Sequence, residues 1–418
     1  MTKRHDHNAF PWVSLPADIR LMVLDEISGQ KNHGWAQCAA VCKEWQAILE
    51  PKNFARLTLE PSCLDDLETF VIRQRPLVQH ICLNIDLPRY ACRTCKRDDS
   101  MSNRKSNIFR KATLRLFSIL GTWQPTGRLT LELSASSPSD SQHWFKNYCF
   151  GPGHEDTRDW TQQEKAIRWH DPDHGWVDGQ QVKTPDPPAV MRLFSPLCLN
   201  VPKNLPVVYA VTSFCIRRQL RHELFPDVLR ALWEKLPRLE NIAYELWRAR
   251  PRLCQIACAY ELAFLIHDCV PRHVKRLSFF KDYNQQLALA LHNTTPYLGR
   301  DIETASAVDL RLAETFAAKS HQLEHLSISY MIDAQQLFTS CQQLPCTWNL
   351  LQSLTLTSST LARKTPHKLI YSLLRSASST ARKMPQLKSM VLWNSEPKHA
   401  CAVIYQYHTA ALLTQDTT

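Results

Sequence analysis

Glycine is scarce in this chain, nine in 418 residues. A nucleotide cradle built from backbone amides needs several closely spaced glycines, and no such loop can be placed. No G-x-S-x-G elbow, H-E-x-x-H helix or kinase motif set occurs either. With no catalytic constellation in view, the chain reads as a protein that is not an enzyme. Long apolar runs are also missing. The most apolar segment, 256–266, carries Glu261 and is too short to span a bilayer, so no membrane partner is expected. The opening Met-Thr-Lys-Arg-His-Asp-His has no apolar stretch of the kind a secretory leader requires. Low-complexity tracts are absent.

What remains is a globular composition, 44% apolar and 21% charged, with enough length for two or three units. The formal charge is +11, which raises a nucleic-acid reading. The excess is spread out. Its denser stretches, 89–115 and 363–398, alternate basic with apolar residues at helical spacing, as solvated helix faces do. Nucleic acid is therefore an alternative and not the leading expectation. Most of the 15 cysteines sit in apolar runs (Cys38, Cys42, Cys82, Cys215, Cys258), where a free thiol serves as a small hydrophobe. A reducing compartment, cytoplasm or nucleus, is expected.

Beyond residue 50 a pattern of the form apolar-x-x-apolar-x-apolar recurs. It stands at Phe54/Leu57/Leu59, Val78/Ile81/Leu83, Leu239/Ile242/Tyr244 and Val274/Leu277/Phe279. It stands again at Leu323/Leu326/Ile328, Leu351/Leu354/Leu356 and Leu387/Met390/Leu392, with a weaker copy at Leu129/Leu131/Leu133. Between copies the sequence predicts helices at 104–120, 223–236, 251–268, 304–319 and 366–383. Alternating Leu positions point one way from a short strand, and one such unit cannot bury that face alone. The pattern is that of a strand-helix repeat. It resembles leucine-rich repeats with irregular spacing: copies start 24 residues apart (Phe54 to Val78) or as many as 49 (Val274 to Leu323). The expected fold is α/β, with an N-terminal helical unit followed by an irregular leucine-rich-repeat-like solenoid of strand-helix units.

Residues 136–190 break this order. They hold four of the nine glycines and four of the twelve tryptophans and follow neither apolar period. They read as an insertion between repeats whose aromatics pack in part on the rest. The division expected is a helical unit at 8–52, first repeats at 53–135, the insertion at 136–190, further repeats at 191–400 and a tail at 401–418.

The helical unit is the most informative stretch. A first helix is predicted from a Ser14 cap with Pro16 in its first turn, carrying Ile19, Met22, Val23 and Ile27 on one face. A second carries Trp35, Cys38, Cys42, Trp45 and Leu49 at intervals of three and four, and Pro51 is expected to stop it. Leu15-Pro16 followed by apolar Ile19, Met22, Leu24 and Ile27, and then Val41-Cys42-Lys43-Glu44-Trp45, resemble the F-box. The match covers about forty residues. An F-box followed by leucine-rich-like repeats resembles many fungal F-box proteins.

That resemblance implies a substrate receptor of a cullin-based, SCF-type ubiquitin ligase. It implies adaptor contacts from Leu15, Pro16, Ile19, Met22, Leu24, Val41, Cys42 and Trp45 to a Skp-type protein, and through it to a cullin. Trp45 suits an anchor. Val41 and Leu24 fit a small helical core as well as they fit docking. The repeats would then hold an unknown target protein. Side chains opposite the buried Leu positions are the candidates for that contact: Asn84, Glu132, Glu245, Trp247, Phe280, Asp282, Ser329, Thr357 and Trp393. The alternative is a basic nucleic-acid-binding or scaffold protein with an N-terminal helix-turn-helix. Its reading positions, Gln37, Lys43, Glu44 and Gln46, are few and mixed in sign.

Two sequence features bear on metals. Cys92-Arg-Thr-Cys95 is a CxxC pair, but a structural zinc site needs four ligands and no second pair exists. Cys149 and His154 are the completing residues considered, at a loose spacing. His170-Asp171-Pro172-Asp173-His174 lies in a polar Pro/Gly-rich stretch and reads as a turn. No metal and no cofactor are assigned.

Overall fold

The computed structural model describes residues 12–30, 34–97, 103–151, 169–198, 205–247, 260–282, 287, 302–396 and 398–407. Twelve strands are β1 (Arg56–Leu59), β2 (His80–Asp86), β3 (Leu129–Ser136), β4 (Trp176–Val177), β5 (Gln180–Gln181), β6 (Val211–Ile216), β7 (Asn241–Trp247), β8 (Arg276–Asp282), β9 (His325–Ser329), β10 (Ser353–Thr357), β11 (Ser389–Glu396) and β12 (His399–Gln406). Ten of them form one sheet in the order β1-β2-β3-β6-β7-β8-β9-β10-β11-β12. Neighbours run parallel from β1 through β11, and β12 pairs antiparallel with β11. The chain is thus mixed α/β around a large, mostly parallel sheet.

The register explains the sequence pattern. Leu57, Ile81, Leu131, Phe214, Ile242, Leu277, Leu326, Leu354 and Met390 are Cα partners in one continuous row. Two residues further along, Ile216, Tyr244, Phe279, Ile328, Leu356 and Leu392 form another. Period-2 geometry puts both rows on one face. All but Leu57 are buried in a single core with residues of the crossover helices, among them Phe109, Leu116, Leu229, Trp233, Phe316 and Phe338. Parallel neighbours require a crossover, and these helices supply it.

Helices form at Asn103–Leu120, Pro226–Trp233, Ile302–Lys319 and His367–Ala381, close to four of the predicted spans. Of the span 251–268, residues 251–259 lie outside the described residues, and the helical backbone from Tyr260 closes in a π-turn at Leu265–Cys269. The helix Ala334–Gln343 fills the crossover between β9 and β10. Its cap is reciprocal: Asp333 accepts from the Gln335 backbone while Gln336 Oε1 accepts from the Asp333 N–H at 3.0 Å.

Several expectations are corrected. The second N-terminal helix is not continuous: a 3-10 turn at Trp35–Ala40 is followed by a break at Val41–Cys42 and then the helix Lys43–Ala55. Cysteines and tryptophans spaced by three and four fit a 3-10 turn plus a helix as well as one long helix. Pro51 does not stop this helix. It forgoes one backbone bond and the helix runs on to Ala55, where β1 begins at the next residue. Ser14 ends a 3-10 turn (Trp12–Ser14), and the first helix spans Ala17–Gln30. These two helices are α1 (Ala17–Gln30) and α2 (Lys43–Ala55). The tail expected from 401 begins instead as β12. The strand β6 lies in a stretch where no repeat copy was placed.

The insertion 136–190 has its own small core. Trp144, Phe145 and Phe150 pack with Cys95, Ala189, Val190, Leu193 and Phe194 in a cluster separate from the sheet core. β4 and β5 make a hairpin whose turn, Asp178-Gly179, has positive φ at both residues (47° and 79°), as a tight hairpin turn requires. Among the described residues no helix is long and apolar enough to cross a membrane.

Candidate functional site

The N-terminal helices bury very little. In α1 only Leu24 and Ser28 are buried, and in α2 only Leu49. What joins the two helices is polar. Glu44 on α2 accepts from Trp12 Nε1 at 3.0 Å and pairs with Arg20 on α1 at 2.8 Å, while Arg20 also donates to the Leu15 carbonyl. Asn53 donates to the Ala36 carbonyl. Beside these polar contacts the apolar contribution is small, confined to the buried Leu24 and Leu49 and the packing of Trp45 on Trp12. Met22 is 65% exposed, Val41 63% and Val13 83%, and Ile19, Leu21 and Val23 are exposed as well. Ile19, Met22 and Val23, spaced by three and four, lie along one face of α1.

The eight adaptor candidates therefore divide. Ile19, Met22, Val41, Cys42 and Pro16 are exposed, and Leu15 and Trp45 are half-buried. Trp45 packs against Trp12, ring centroids 5.0 Å apart. Leu24 is a correction: it is fully buried, so it serves the small helical core and offers nothing to a partner.

The sheet face opposite the helices holds the target candidates. Glu245, Phe280 and Ser329 are successive Cα partners, Thr357 pairs with Trp393, and Trp247 pairs with Asp282 two residues beyond Glu245 and Phe280. Asn84 occupies β2 opposite Ser134, and Glu132 lies a step below, opposite Cys82. Three candidates are withdrawn by burial: Glu132, Ser329 and Thr357 are each almost completely covered. Thr357 Oγ1 accepts the Tyr330 N–H at 2.7 Å. Glu132 accepts from His80 Nε2 at 2.8 Å, with Arg56 3.8 Å away. Burial pushes the Glu132 carboxyl up, but the hydrogen bond and charge of His80, with Arg217 and Arg56, outweigh it and hold the group below the usual carboxylate range. Glu245 is spent inside the fold on Arg217 and the Arg218 N–H. Trp247 is shielded: Phe194, which follows the insertion and shares its small core, packs against it, Arg221 lies 3.8 Å over its ring, and its N–H donates to the Arg218 carbonyl.

What stays half-exposed is an aromatic group that the row of candidates only partly contained. Phe280 and Trp393 both pack edge-on against Tyr330, at 5.7 and 5.2 Å. Tyr330 follows β9 with φ +59°, a backbone state costly for a side chain of this size. Its hydroxyl lies 3.1 Å from the Ser395 N–H, which donates to it. Period-2 reasoning stopped at Ser329 and missed it.

A third cluster joins the CxxC after β2 to the inserted region. Cys92 Sγ is 3.3 Å and Cys95 Sγ 3.4 Å from the same atom, His174 Nε2. Ligand atoms of Cys92, His143 and His174 all fall within 4.8 Å of one another. His174 Nδ1 faces Asp171 at 2.8 Å, and Lys146 holds that carboxylate at 3.0 Å. The CxxC has thus found partners other than the two considered for it. Cys149 is not among them, and His154 lies outside the described residues. The two histidines of the 170–174 turn part company: His174 points inward, while His170 meets Asp178 at the surface.

Compared with known families, residues 269–418 match one described as a family of unknown function (DUF6546). The match spans β8 through β12 and includes Phe280, Tyr330 and Trp393. The search of curated proteins gives no match.

Proposed function

We propose that this chain is the substrate-recognition subunit of an SCF-type ubiquitin ligase, binding a Skp-type adaptor through its N-terminal helices and a target protein through its sheet domain. The observation that carries the reading is the uncovered apolar face of α1 and of the turn before α2. Ile19, Met22, Val23 and Val41 are left exposed by two helices that bury only Leu24, Ser28 and Leu49 and are otherwise tied by polar contacts. A face of this kind is stabilised by a partner. The sheet, with its neighbours in chain order, supports the irregular leucine-rich-like solenoid reading. The helix-turn-helix alternative loses ground because Glu44, one of its few reading positions, is occupied by Trp12 and Arg20.

The proposed mechanism is proximity. α2 passes directly into β1, so a target held on the sheet stands at a fixed distance from the adaptor, and its lysines gain effective concentration near the charged ubiquitin carrier. The receptor makes and breaks no bonds. Phe280, Tyr330 and Trp393 are the proposed centre of the target contact, and the cytoplasm or nucleus is the proposed setting.

The test is co-expression with a Skp-type adaptor. The intact chain is expected to co-purify with it. The pair Met22→Asp and Val41→Asp, both at exposed sites, is expected to lose the complex while the melting curve stays in place. Equal adaptor capture by the intact and doubly substituted chains would refute the assignment.

A further inference from the structure

We propose that Cys92, Cys95, His143 and His174 form a structural zinc site that pins the inserted region to the sheet domain. The inference is independent of the ligase reading and rests on a different part of the molecule.

The donor set comes first. Two sulfurs and two imidazoles are what tetrahedral zinc prefers. With metal–sulfur and metal–nitrogen bonds of roughly 2.3 and 2.0 Å, tetrahedral angles put sulfur and nitrogen about 3.5 Å apart. The two sulfurs stand 3.3 and 3.4 Å from His174 Nε2. Hydrogen bonding alone accounts poorly for this arrangement. A neutral imidazole nitrogen has one lone pair, and here two thiols converge on it while the His143 ring lies tilted against His174, 4.6 Å between centroids. Cys92, His143 and His174 already place their ligand atoms within 4.8 Å of one another, and Cys95 adjoins that group through its 3.4 Å approach to His174, so a cation bound there would complete its shell by drawing Cys95 inward.

The surroundings agree. Asp171 takes the Nδ1 side of His174 and is itself fixed by Lys146, the carboxylate-histidine arrangement that orients metal-bound imidazoles. The Trp144 indole N–H is buried with only the Cys95 sulfur beside it as an acceptor. A zinc-bound thiolate gives that donor a strong acceptor, which a neutral thiol does not. Cys95 is 1% and His174 4% exposed, with the Trp144 ring edge-on to His174 at 5.6 Å. Gly175 turns the chain immediately after His174 with φ +75°, and a Cβ there would stand 2.4 Å from the Lys183 carbonyl. The loop is built to place one histidine. Binding displaces two thiol protons, and the doubly charged ion then balances two thiolates.

The role follows from position. The cluster around Trp144 and Phe145 is small, and small cores need a staple. Through Phe194 the same region rests on Trp247 at the end of β7. Zinc would hold that cover in place.

The experiment is elemental analysis of the purified full-length chain, together with its spectrum after exchange of the metal for Co²⁺. One zinc per chain and the visible absorption of tetrahedral cobalt with thiolate ligands are expected. His174→Gln is expected to lose the metal and Cys149→Ser to keep it. Because a ligand change can unfold the region, Asp171→Asn provides a gentler variant, expected to weaken zinc affinity roughly 10- to 100-fold in chelator competition. Zinc at background level with a Cys92–Cys95 disulfide found by mass spectrometry would overturn the proposal. So would a cobalt spectrum that is octahedral, or affinity unchanged in both His174→Gln and Asp171→Asn.

Discussion

The N-terminal helices and the sheet solve opposite problems with similar residues. α1 carries Ile19, Leu21, Met22 and Val23 and leaves all four exposed, while the strands of the ten-stranded sheet from β2 to β11 bury a row of apolar residues on the face that meets the helices. The difference is not in composition but in what lies beside each element. Each strand has a neighbour in register and a helix above it, so a Leu every second residue meets apolar atoms. The two helices meet through the Glu44–Arg20 pair, the Lys52 contacts to Asp25 and Ser28, and a small core with Leu24 and Leu49 buried, none of which covers the exposed face of α1. Side chains of equal hydrophobicity thus report stability in one region and availability in the other. The contrast can be broken or sharpened by substitution in each.

The largest effect is expected in the sheet. Phe279 is fully buried at the centre of β8, its ring edge-on to Tyr244 and Phe316. Phe279→Ala removes those contacts and leaves a cavity, so a loss of about 3–5 kcal/mol is expected in urea unfolding. A loss below about 1 kcal/mol would mean that the sheet core is as loosely used as the helical face.

A second effect comes through pH. His222 is buried, its Nδ1 2.7 Å from the Ser195 carbonyl, and burial with the nearby Lys105 charge brings it down to about 3. It stays neutral in the folded chain but takes up a proton near pH 6.5 once unfolded. Its contribution is therefore whole above pH 6.5 and declines as pH falls toward 3. By pH 4.5 this group alone removes roughly 2–3 kcal/mol. His222→Gln is expected to flatten the fall in melting temperature across that window, and an unchanged slope would refute the assignment.

The sheet was legible because period 2 survives in short windows: seven copies of the apolar pattern, from Phe54/Leu57/Leu59 to Leu387/Met390/Leu392, end in strands. β6 carries the same signal at Val211/Phe214/Ile216 and was passed over only because it follows the aperiodic insertion. β12 was hidden because residues 400–405 are apolar without interruption, so nothing in the sequence separates Cys401 and Val403, which pack on the core, from the exposed Ala400, Ala402 and Ile404. The cysteine-histidine cluster was not legible. Cys92 and His174 are 82 positions apart, and no local pattern encodes which distant loop returns to a CxxC. Burial of Glu132, Ser329 and Thr357 was likewise out of reach, since it depends on side chains arriving from neighbouring strands.

The inserted region offers a smaller effect, of intermediate kind. Gly175→Ala forces a side chain into a left-handed backbone and against the Lys183 carbonyl. About 1–3 kcal/mol should be lost, with the thermal transition of the region moving and the urea midpoint of the sheet nearly fixed. A shift shared equally by both would mean that the two cores unfold together.

The smallest effect is the most telling for the comparison. Met22→Asp and Val41→Asp, made singly, place a charge where the side chain already faces water, so each should change stability by no more than about 0.5 kcal/mol. Leu24→Asp, two residues from Met22 but fully buried, should cost several times more. Thermal melts of the three variants, without any partner added, measure the ratio directly. If Met22→Asp proves as damaging as Leu24→Asp, the face of α1 is covered by the chain itself in solution, and its apolar residues belong to the core after all.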